Sequence, residues 1–250
     1  MITNIFFPKL PFYPPFKFRF FTPNNEVDLC GHATIATFTR LKEVGRINKN
    51  LVTQETKAGI LPVEFIGELV FMDQNKSTYR NPNISLEELS ESLNIDEEHI
   101  ENTKLPIKIV STGLEDLLIP IDSLSTIKSI RPNFELIRRI SKKLGITGYH
   151  LFTFETIEEN STAHIRNFAP LYDIDEESAT GTSNCALGCY LIKEGILKDM
   201  KKYKMVFEQG YEMNRPSKII VEIEVNEKKD IERVRVGGKA ILVSERTIEI

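Results

Sequence analysis

The feature of this sequence that most constrains its fold is a pattern that occurs twice. Residues 21–41 read FTPNNEVDLCGHATIATFTRL, and residues 168–191 read FAPLYDIDEESATGTSNCALGCYL. Each copy passes from strand-like residues through Phe-x-Pro and an acidic loop to a glycine, Gly31 or Gly181, at the start of a predicted helix. A supersecondary unit that recurs in one chain indicates a duplication, so the sequence predicts two similar lobes.

The rest of the chain reads as short strands interrupted by a few helices. Helices are predicted at residues 33–43, 82–93, 133–144 and 183–194. Ser85 followed three residues later by Glu88 is a capping signal for the second, the third is amphipathic, and Gly45, Gly145 and Gly195 end the first, third and fourth. Alternating residues and short apolar runs predict strands at residues 16–21, 52–56, 59–66, 68–72, 107–110, 116–121, 149–156, 163–168, 206–209, 218–225 and 233–243. This mixture indicates an α+β protein.

The pattern restarts near Pro106, which predicts an N-terminal lobe of residues 1–105 and a C-terminal lobe of residues 106–250. The last strand of the C-terminal lobe could instead return to the first lobe. The stretch before the second copy holds a strand, a helix and another strand, whereas the stretch before the first copy is too short for them. The first lobe is therefore expected to be a truncated copy that lacks an opening strand and helix.

Composition and charge exclude several classes of function. The formal net charge is −4, and no basic block suggests nucleic acid as a partner. No apolar run approaches the ~20 residues that a membrane helix needs, so no membrane partner is expected. The three cysteines, Cys30, Cys185 and Cys189, form no CxxC pair, which favours a reducing, cytoplasmic setting. The scattered histidines lack ligand spacing, so no metal site is predicted.

Both glycines of the repeat lie at the start of a helix, where the sequence predicts a site for an anion. The first N–H groups of a helix have no partner within it, and the helix dipole is positive at that end. Gly31 and Gly181 would therefore mark two helix starts that could hold a small carboxylate-bearing molecule in a cleft between the lobes.

His32 and Glu177 are the candidates for proton transfer. A histidine beside an anion site can act as acid or base near neutral pH, although a capping or core histidine explains His32 equally well. Either Glu176 or Glu177 could supply a carboxylate, and two solvated loop charges are the alternative. Thr180 and Thr182 could donate hydrogen bonds to a substrate, or cap the helix that follows.

Cys30 raises a different possibility, a thiol made acidic by the start of the helix. In the second copy Thr180 stands at the matching place before Gly181, so a racemase with two thiols is disfavoured. Cys185 and Cys189 are four residues apart within a predicted helix, a spacing that is typical of core packing.

Four segments together resemble the phenazine-biosynthesis PhzF-like family: EVDLCGHAT, FAP…EESATGT, QGYEMNRPS and VRVGGKAILV, which begin at residues 26, 168, 209 and 234. The resemblance covers about residues 16 to 243. It implies the diaminopimelate-epimerase-like fold, with two similar lobes that each wrap a mostly antiparallel sheet around a central helix. It further implies an active site between the lobes, a homodimer, and an isomerase that needs neither a metal nor an organic cofactor.

The resemblance also assigns residues. His32 matches the family's glycine-histidine pair, and Glu177 stands where the family's EDPATGS segment has aspartate. Ser178 replaces the proline of that segment and Thr182 its serine. The implied catalytic residues are His32 and Glu177, and the implied substrate-binding residues are Gly31, Ala33, Thr180, Gly181 and Thr182.

The largest departure from the family is at the front of the chain. The principal acid/base glutamate of the family lies in a Ser-Glu-Thr-x-Phe-Val segment, and residues 1–7 would match it with Met1 or Ile2 at the place of the glutamate. The resemblance predicts a cofactor-independent isomerase of a small carboxylate-bearing metabolite. The alternative is a non-catalytic, small-molecule-binding or decayed homologue that lacks the glutamate.

Overall fold

The computed structural model describes residues 3–6, 15–21, 26–27 and 29–244. They fall into two compact units, Met1–Asp73 with Gly237–Ile250, and Gln74–Val236. Both contain many strands and few helices, which confirms the predicted α+β class. These units have other boundaries than the predicted lobes of residues 1–105 and 106–250, which stay a prediction. Within the described ranges, no helix is long and apolar enough to span a membrane.

In its described residues, the first unit combines one helix with a small sheet. Its elements are β1 (Thr3–Phe6), β2 (Phe16–Phe21), β3 (Glu26–Val27), α1 (Gly31–Glu43), β4 (Leu51–Thr56), β5 (Gly59–Ile66) and β6 (Leu69–Asp73). The strand order is β1-β2-β4-β5-β6, with β3 paired to β2. Strands β2 and β4 run parallel, whereas β1–β2, β2–β3, β4–β5 and β5–β6 are antiparallel.

An aromatic cluster joins α1 to this sheet. The fully buried ring of Phe38 meets Phe16, Phe18 and Phe65 edge-on, with centroids 5.7, 5.3 and 6.3 Å away. Alternate residues of β2 are buried, as the FKFRFF pattern predicts for a strand with one face on a core. Edge-to-face pairs of this kind contribute about 0.5–1.5 kcal/mol each beyond the area that they bury.

The second unit contains the other strands and helices. Its elements are β7 (Thr78–Arg80), α2 (Leu86–Leu93), α3 (Glu98–Glu101), β8 (Lys108–Ser111), β9 (Glu115–Pro120), α4 (Leu124–Ser129), α5 (Phe134–Leu144), β10 (Gly148–Thr153), β11 (Ala163–Ala169), a 3₁₀ turn (Pro170–Tyr172), β12 (Ile174–Glu177), α6 (Gly181–Lys193), β13 (Lys202–Gln209), β14 (Ser217–Val225) and β15 (Ile231–Gly238), of which the last two residues belong to the first unit. The strand order is β15-β14-β13-β11-β10-β9-β8-β7, and β12 pairs with β11.

The two units repeat one order of strand pairing around their helices. In the first, β2 pairs antiparallel with β1 and parallel with β4, which turns back antiparallel as β5. In the second, β11 pairs antiparallel with β10 and parallel with β13, which turns back as β14. A short strand, β3 or β12, precedes each helix and pairs with β2 or β11. This agreement in topology supports the duplication inferred from the repeated stretches.

Helix α6 is buried along most of its length. Residues 183–191 are all buried, so the helix lacks the polar face that a surface helix shows. Cys185 and Cys189 are fully buried, which confirms core packing, and burial raises the pKa of the Cys189 thiol to about 12. At Gly188 a Cβ would lie 2.9 Å from the Met205 methyl group, so glycine lets the helix approach the sheet closely. Each buried leucine of the helix contributes about 1.5–3 kcal/mol.

The structure corrects several predicted bounds. Both repeat helices begin at the glycine itself, two residues before the predicted starts at 33 and 183. The predicted strand 233–243 ends at Gly238, and the apolar residues at 241–243 are exposed. The predicted strand 149–156 ends at Thr153. Strand β12 was missed because its acidic sequence IDEE has low strand propensity, and pairing with β11 supplies what propensity does not.

The capping signal that predicted a helix at residues 82–93 is confirmed, although the helix begins only at Leu86. The Ser85 side chain accepts a hydrogen bond from the Glu88 N–H, and the Glu88 carboxylate accepts one from the Ser85 N–H. Ser85→Ala should therefore lower the free energy of unfolding by about 1 kcal/mol, measured by urea denaturation. Ser85→Thr keeps the cap and should stay close to wild type; equal losses in both variants would contradict the capping role.

Candidate functional site

The first helix start lies in the first unit. Cys30 is the N-cap residue of α1, and its backbone carbonyl accepts hydrogen bonds from the N–H and the hydroxyl of Thr34. Gly31, His32 and Ala33 form the first turn, where backbone N–H groups point along the axis away from the helix. The His32 side chain is exposed, so the alternative of a core histidine is wrong.

The Cys30 thiol lies beside the His32 ring. Its sulfur is 3.5 Å from Nε2 and 3.7 Å from Nδ1 of His32. Because the two distances are nearly equal, the sulfur is not aligned with the lone pair of either nitrogen. The contact is therefore not the directed thiol–imidazole hydrogen bond by which a histidine activates a cysteine nucleophile. This geometry does not favour the thiol-based reading of Cys30.

The second helix start gathers four predicted residues of the second unit. Glu177 ends β12, Thr180 is the N-cap residue of α6, and Gly181 and Thr182 form its first turn. The Thr180 side chain makes no capping bond; its hydroxyl donates to Glu177 Oε2 at 3.4 Å. The capping alternative for Thr180 is therefore wrong, and the hydroxyl is directed at the candidate catalytic carboxylate instead.

The first turn of α6 packs closely against β15. A Cβ at Gly181 would lie 3.2 Å from both methyl groups of Val236, so alanine there would require the Val236 side chain to move by a few tenths of an ångström. The Thr182 hydroxyl donates to Gln74 Oε1 at 3.0 Å, and the Thr182 carbonyl accepts from the Thr112 hydroxyl at 2.9 Å. Thr182 is thus held through its hydroxyl and its backbone carbonyl.

The two neighbouring glutamates of β12 have different partners. Glu176 forms a bidentate pair with Arg166, with both nitrogen–oxygen distances at 2.8 Å. The buried Arg166 also donates to the carbonyls of Ile127 and Ile130, so this pair ties β11 and β12 to α4 and its end. The role of Glu176 is structural, which leaves Glu177 as the carboxylate at the start of the helix.

Gln209, at the end of β13, is a site residue that sequence reasoning missed. Its Oε1 accepts from the Thr180 N–H at 3.2 Å and from Asn184 Nδ2 at 3.0 Å. Its Nε2 donates to the Glu177 carbonyl at 2.6 Å and to the Thr180 hydroxyl at 3.0 Å. The QGYEMNRPS segment contained this residue, but no spacing in the sequence placed it beside the helix start.

Asp116 is the second missed residue. It lies on β9, is fully buried, and accepts a hydrogen bond of 2.5 Å from the hydroxyl of Ser183 in the first turn of α6. Burial raises the pKa of the Asp116 carboxyl to about 7, with a further rise from the negative charge of Glu177 and an opposing effect from Ser183. This buried carboxyl therefore gains or loses its proton near neutral pH, and it lies close enough to Glu177 for the charge of Glu177 to raise its pKa.

A metal ion has no evident set of ligands in the part of the chain that the structure describes. No group of three or more His, Cys, Asp or Glu side chains is placed there to hold one. The arrangement that is present consists of a glutamate, a hydroxyl and helix N–H groups, which can bind an anion and exchange a proton with it.

Comparison with known proteins decides the family. The PhzC-PhzF family, described as phenazine biosynthesis-like protein, matches residues 5–246. The chain belongs to this family. This PhzC-PhzF member is 35% identical over 233 residues to an uncharacterized isomerase of Clostridium acetobutylicum, covering 90% of this chain and 76% of the relative. It is 32% identical over 240 residues to an uncharacterized isomerase of Bacillus subtilis, covering 94% and 80%.

Solved structures agree with this assignment. A PhzF family phenazine biosynthesis protein of Bacillus anthracis superposes with a TM-score of 0.89 at 27% identity, over all of this chain and 85% of the other. A hydroxyproline epimerase of Agrobacterium vitis shares the fold alone, with a TM-score of 0.58 at 15% identity, over 94% and 71%. The predicted fold family is confirmed, and this PhzC-PhzF member is a homologue of isomerases.

The assigned roles stay predictions. The structure places Glu177, Thr180, Gly181 and Thr182 around the start of α6, and Gly31, His32 and Ala33 around the start of α1. Of the segment 1–7 that was predicted to replace the glutamate segment of the family, only the backbone strand Thr3–Phe6 lies within the described residues. The prediction of a truncated first lobe is therefore not tested.

The pKa of Asp116 gives a prediction for stability against pH. An unfolded aspartate ionises near pH 4, whereas folded Asp116 keeps its proton to about pH 7. Between these values the folded state binds more protons, so this group makes the free energy of unfolding fall as pH rises, by up to about 1.4 kcal/mol per pH unit.

Asp116→Asn removes this ionisation and keeps an oxygen that accepts from Ser183. Between pH 4 and pH 7 the free energy of unfolding of this variant should fall by roughly 2–4 kcal/mol less than that of wild type, measured by urea denaturation across the range. The exposed Asp175 offers a control, since Asp175→Asn should leave the wild-type curve nearly unchanged. Parallel curves for wild type and Asp116→Asn would show that Asp116 does not titrate in this range.

Proposed function

We propose that this protein is a cofactor-independent isomerase that moves a proton on a small carboxylate-bearing metabolite. The observation that carries the proposal is the Glu177 carboxylate, held at the start of α6 with the Thr180 hydroxyl directed at it. Membership of a family whose relatives are named isomerases supports the reaction class.

Each group at this helix start has a separate task in the proposal. The N–H groups of Gly181 and Thr182 and the positive end of the helix dipole would bind the carboxylate of the substrate. Glu177 would take a proton from a carbon of the substrate or return one to it. His32, beside the start of α1, is proposed as the second group that exchanges a proton with the substrate, and Gly31 and Ala33 as further contacts to it.

The glutamate at position 177 bears on which substrate is used. The resemblance places aspartate there in the family, and glutamate keeps the charge while moving the carboxylate by one methylene group. Proton transfer is sensitive to displacements of about 1 Å, so the reacting carbon should sit correspondingly farther from β12. The protein is still predicted to be cytoplasmic and to form a homodimer.

The test is deuterium incorporation from deuterated water into a panel of small carboxylates, followed by mass spectrometry. The panel should contain 2-amino acids, 2-hydroxy acids and cyclic dienyl carboxylates. Wild type should exchange one carbon-bound proton of at least one compound, and Glu177→Gln should slow that exchange by about 10²-fold or more. Asp175→Asn, an exposed carboxylate on the same strand, is the matched control and should exchange at the wild-type rate.

The same experiment examines the non-catalytic alternative. If no compound exchanges a proton but one of them raises the melting temperature of wild type, the chain is a binding protein and the proposal is wrong. Exchange that persists at the wild-type rate in Glu177→Gln would leave the isomerase reading intact and remove Glu177 from it. His32→Ala should likewise slow exchange, because removal of one of two acid/base groups costs a similar factor.

A further inference from the structure

The carboxamide of Gln209 is fully engaged at the start of α6. The side chain is completely buried, its oxygen accepts two hydrogen bonds, and its nitrogen donates two, to Glu177, Thr180 and Asn184. The orientation of the amide is fixed by its backbone partners. The Thr180 N–H can only donate and the Glu177 carbonyl can only accept, so Oε1 must face the first and Nε2 the second.

Two of these bonds fix the backbone between Glu177 and Thr180. Gln209 holds the carbonyl of Glu177 at 2.6 Å and the N–H of Thr180 at 3.2 Å, which are the two ends of the turn that leads from β12 into α6. Any shift of this turn would break at least one bond of a buried amide, which costs about 1–3 kcal/mol per unsatisfied group. The side chain of Gln209 therefore fixes both ends of the turn that begins at Glu177.

A third bond fixes the direction of the Thr180 hydroxyl proton. The Thr180 oxygen accepts from Gln209 Nε2 at 3.0 Å, so one of its lone pairs is occupied and its own hydrogen must point elsewhere. The acceptor that it meets is Glu177 Oε2, at 3.4 Å. Gln209 thus orients a donor toward the Glu177 carboxylate, and a donor of this kind stabilises the charged form of a carboxylate.

Gln209 is itself held rigidly. The residue before it, Glu208, is buried and accepts hydrogen bonds from the Ile157 and Glu158 N–H groups and contacts His164 Nδ1 at 2.8 Å. The residue after it, Gly210, has φ +85°, and a Cβ there would lie 2.8 Å from Ser178. The backbone is therefore held in place on both sides of Gln209, so the Gln209 side chain starts from a fixed position.

We propose that Gln209 is a positioning residue for Glu177. Its side chain holds the backbone of the turn from Glu177 to Thr180 and directs the Thr180 hydroxyl at the Glu177 carboxylate. Its importance for catalysis rests on the proposed function, because that function gives Glu177 its role. The geometric part of the proposal concerns the folded protein alone and can be measured without a substrate.

The experiment uses the full chain with ¹³C-labelled glutamate carboxyls, and Glu177→Gln assigns the Glu177 signal. Gln209→Met keeps the approximate shape of the side chain and removes its four hydrogen bonds. It should raise the Glu177 titration midpoint by about 0.5 pH unit. It should also speed hydrogen exchange of the Thr180 amide by about 10-fold or more. Thr180→Val should raise the midpoint by a similar amount, and Thr180→Ser should restore it.

The control is Asn226→Ala. Asn226 also accepts two backbone N–H bonds through a carboxamide oxygen, from Lys228 and Asp230 in the turn between β14 and β15, and its loss should leave both Glu177 readouts unchanged. A folded Gln209→Met variant with a wild-type midpoint and wild-type amide exchange would overturn the proposal. If that variant does not fold, equal midpoints for Thr180→Val and wild type would do so instead.

Neither readout depends on turnover. Failure of the deuterium-incorporation test would therefore leave the result on Gln209 standing, and failure of the Gln209 test would leave the isomerase proposal standing. If an active substrate is found, Gln209→Met should lower kcat more than it raises KM, and shift the pH profile of kcat in the direction of the Glu177 midpoint.

Discussion

The stability of the second unit depends on the burial of α6. The apolar residues of this helix lie in the core, and the polar groups of its first turn therefore need hydrogen-bond partners within the protein. Cys185, Leu187 and Leu191 are completely buried, and this burial supplies a large share of the stabilisation of the core. The same burial removes water from Ser183 and Asn184, and an unpaired buried polar group would cost about 1–3 kcal/mol. Asp116 accepts from the Ser183 hydroxyl and Gln209 accepts from Asn184 Nδ2, which satisfies these two donors and places further polar groups around the start of the helix.

This arrangement places stabilising hydrogen bonds and the residues of the proposed proton transfer at the same helix start. The hydrogen bonds that satisfy the buried helix start are the ones that fix Glu177 and Thr180. The buried Asp116 carboxyl keeps its proton to about pH 7 partly because Glu177 is negatively charged. A site of this kind gains precision from the core, because its supporting residues cannot move without exposing or orphaning a polar atom.

Sequence patterns found the elements where local chemistry decides the structure. The Ser85 and Glu88 capping box, the alternation of FKFRFF and the helix ended by Gly145 were all predicted from neighbouring residues and are observed. Patterns failed where pairing with distant residues overrides propensity, as in the acidic strand β12 and in residues 239–243, which continue no strand. The exposed His32 and the paired Glu176 could be told from their alternatives only by their surroundings.

By itself the sequence determined the α+β class, the duplicated unit, the family resemblance and the positions of Gly31, His32, Glu177 and Gly181, because each is written in adjacent residues or in a repeated motif. Only the tertiary structure decided that Gln209 and Asp116 belong with Glu177. They come from β13 and β9, far from residue 177 along the chain, and meet at α6 because parallel pairing of β11 with β13 and of β9 with β10 places those strands around the buried helix. Contacts between residues so distant depend on strand register, which no short stretch of sequence specifies.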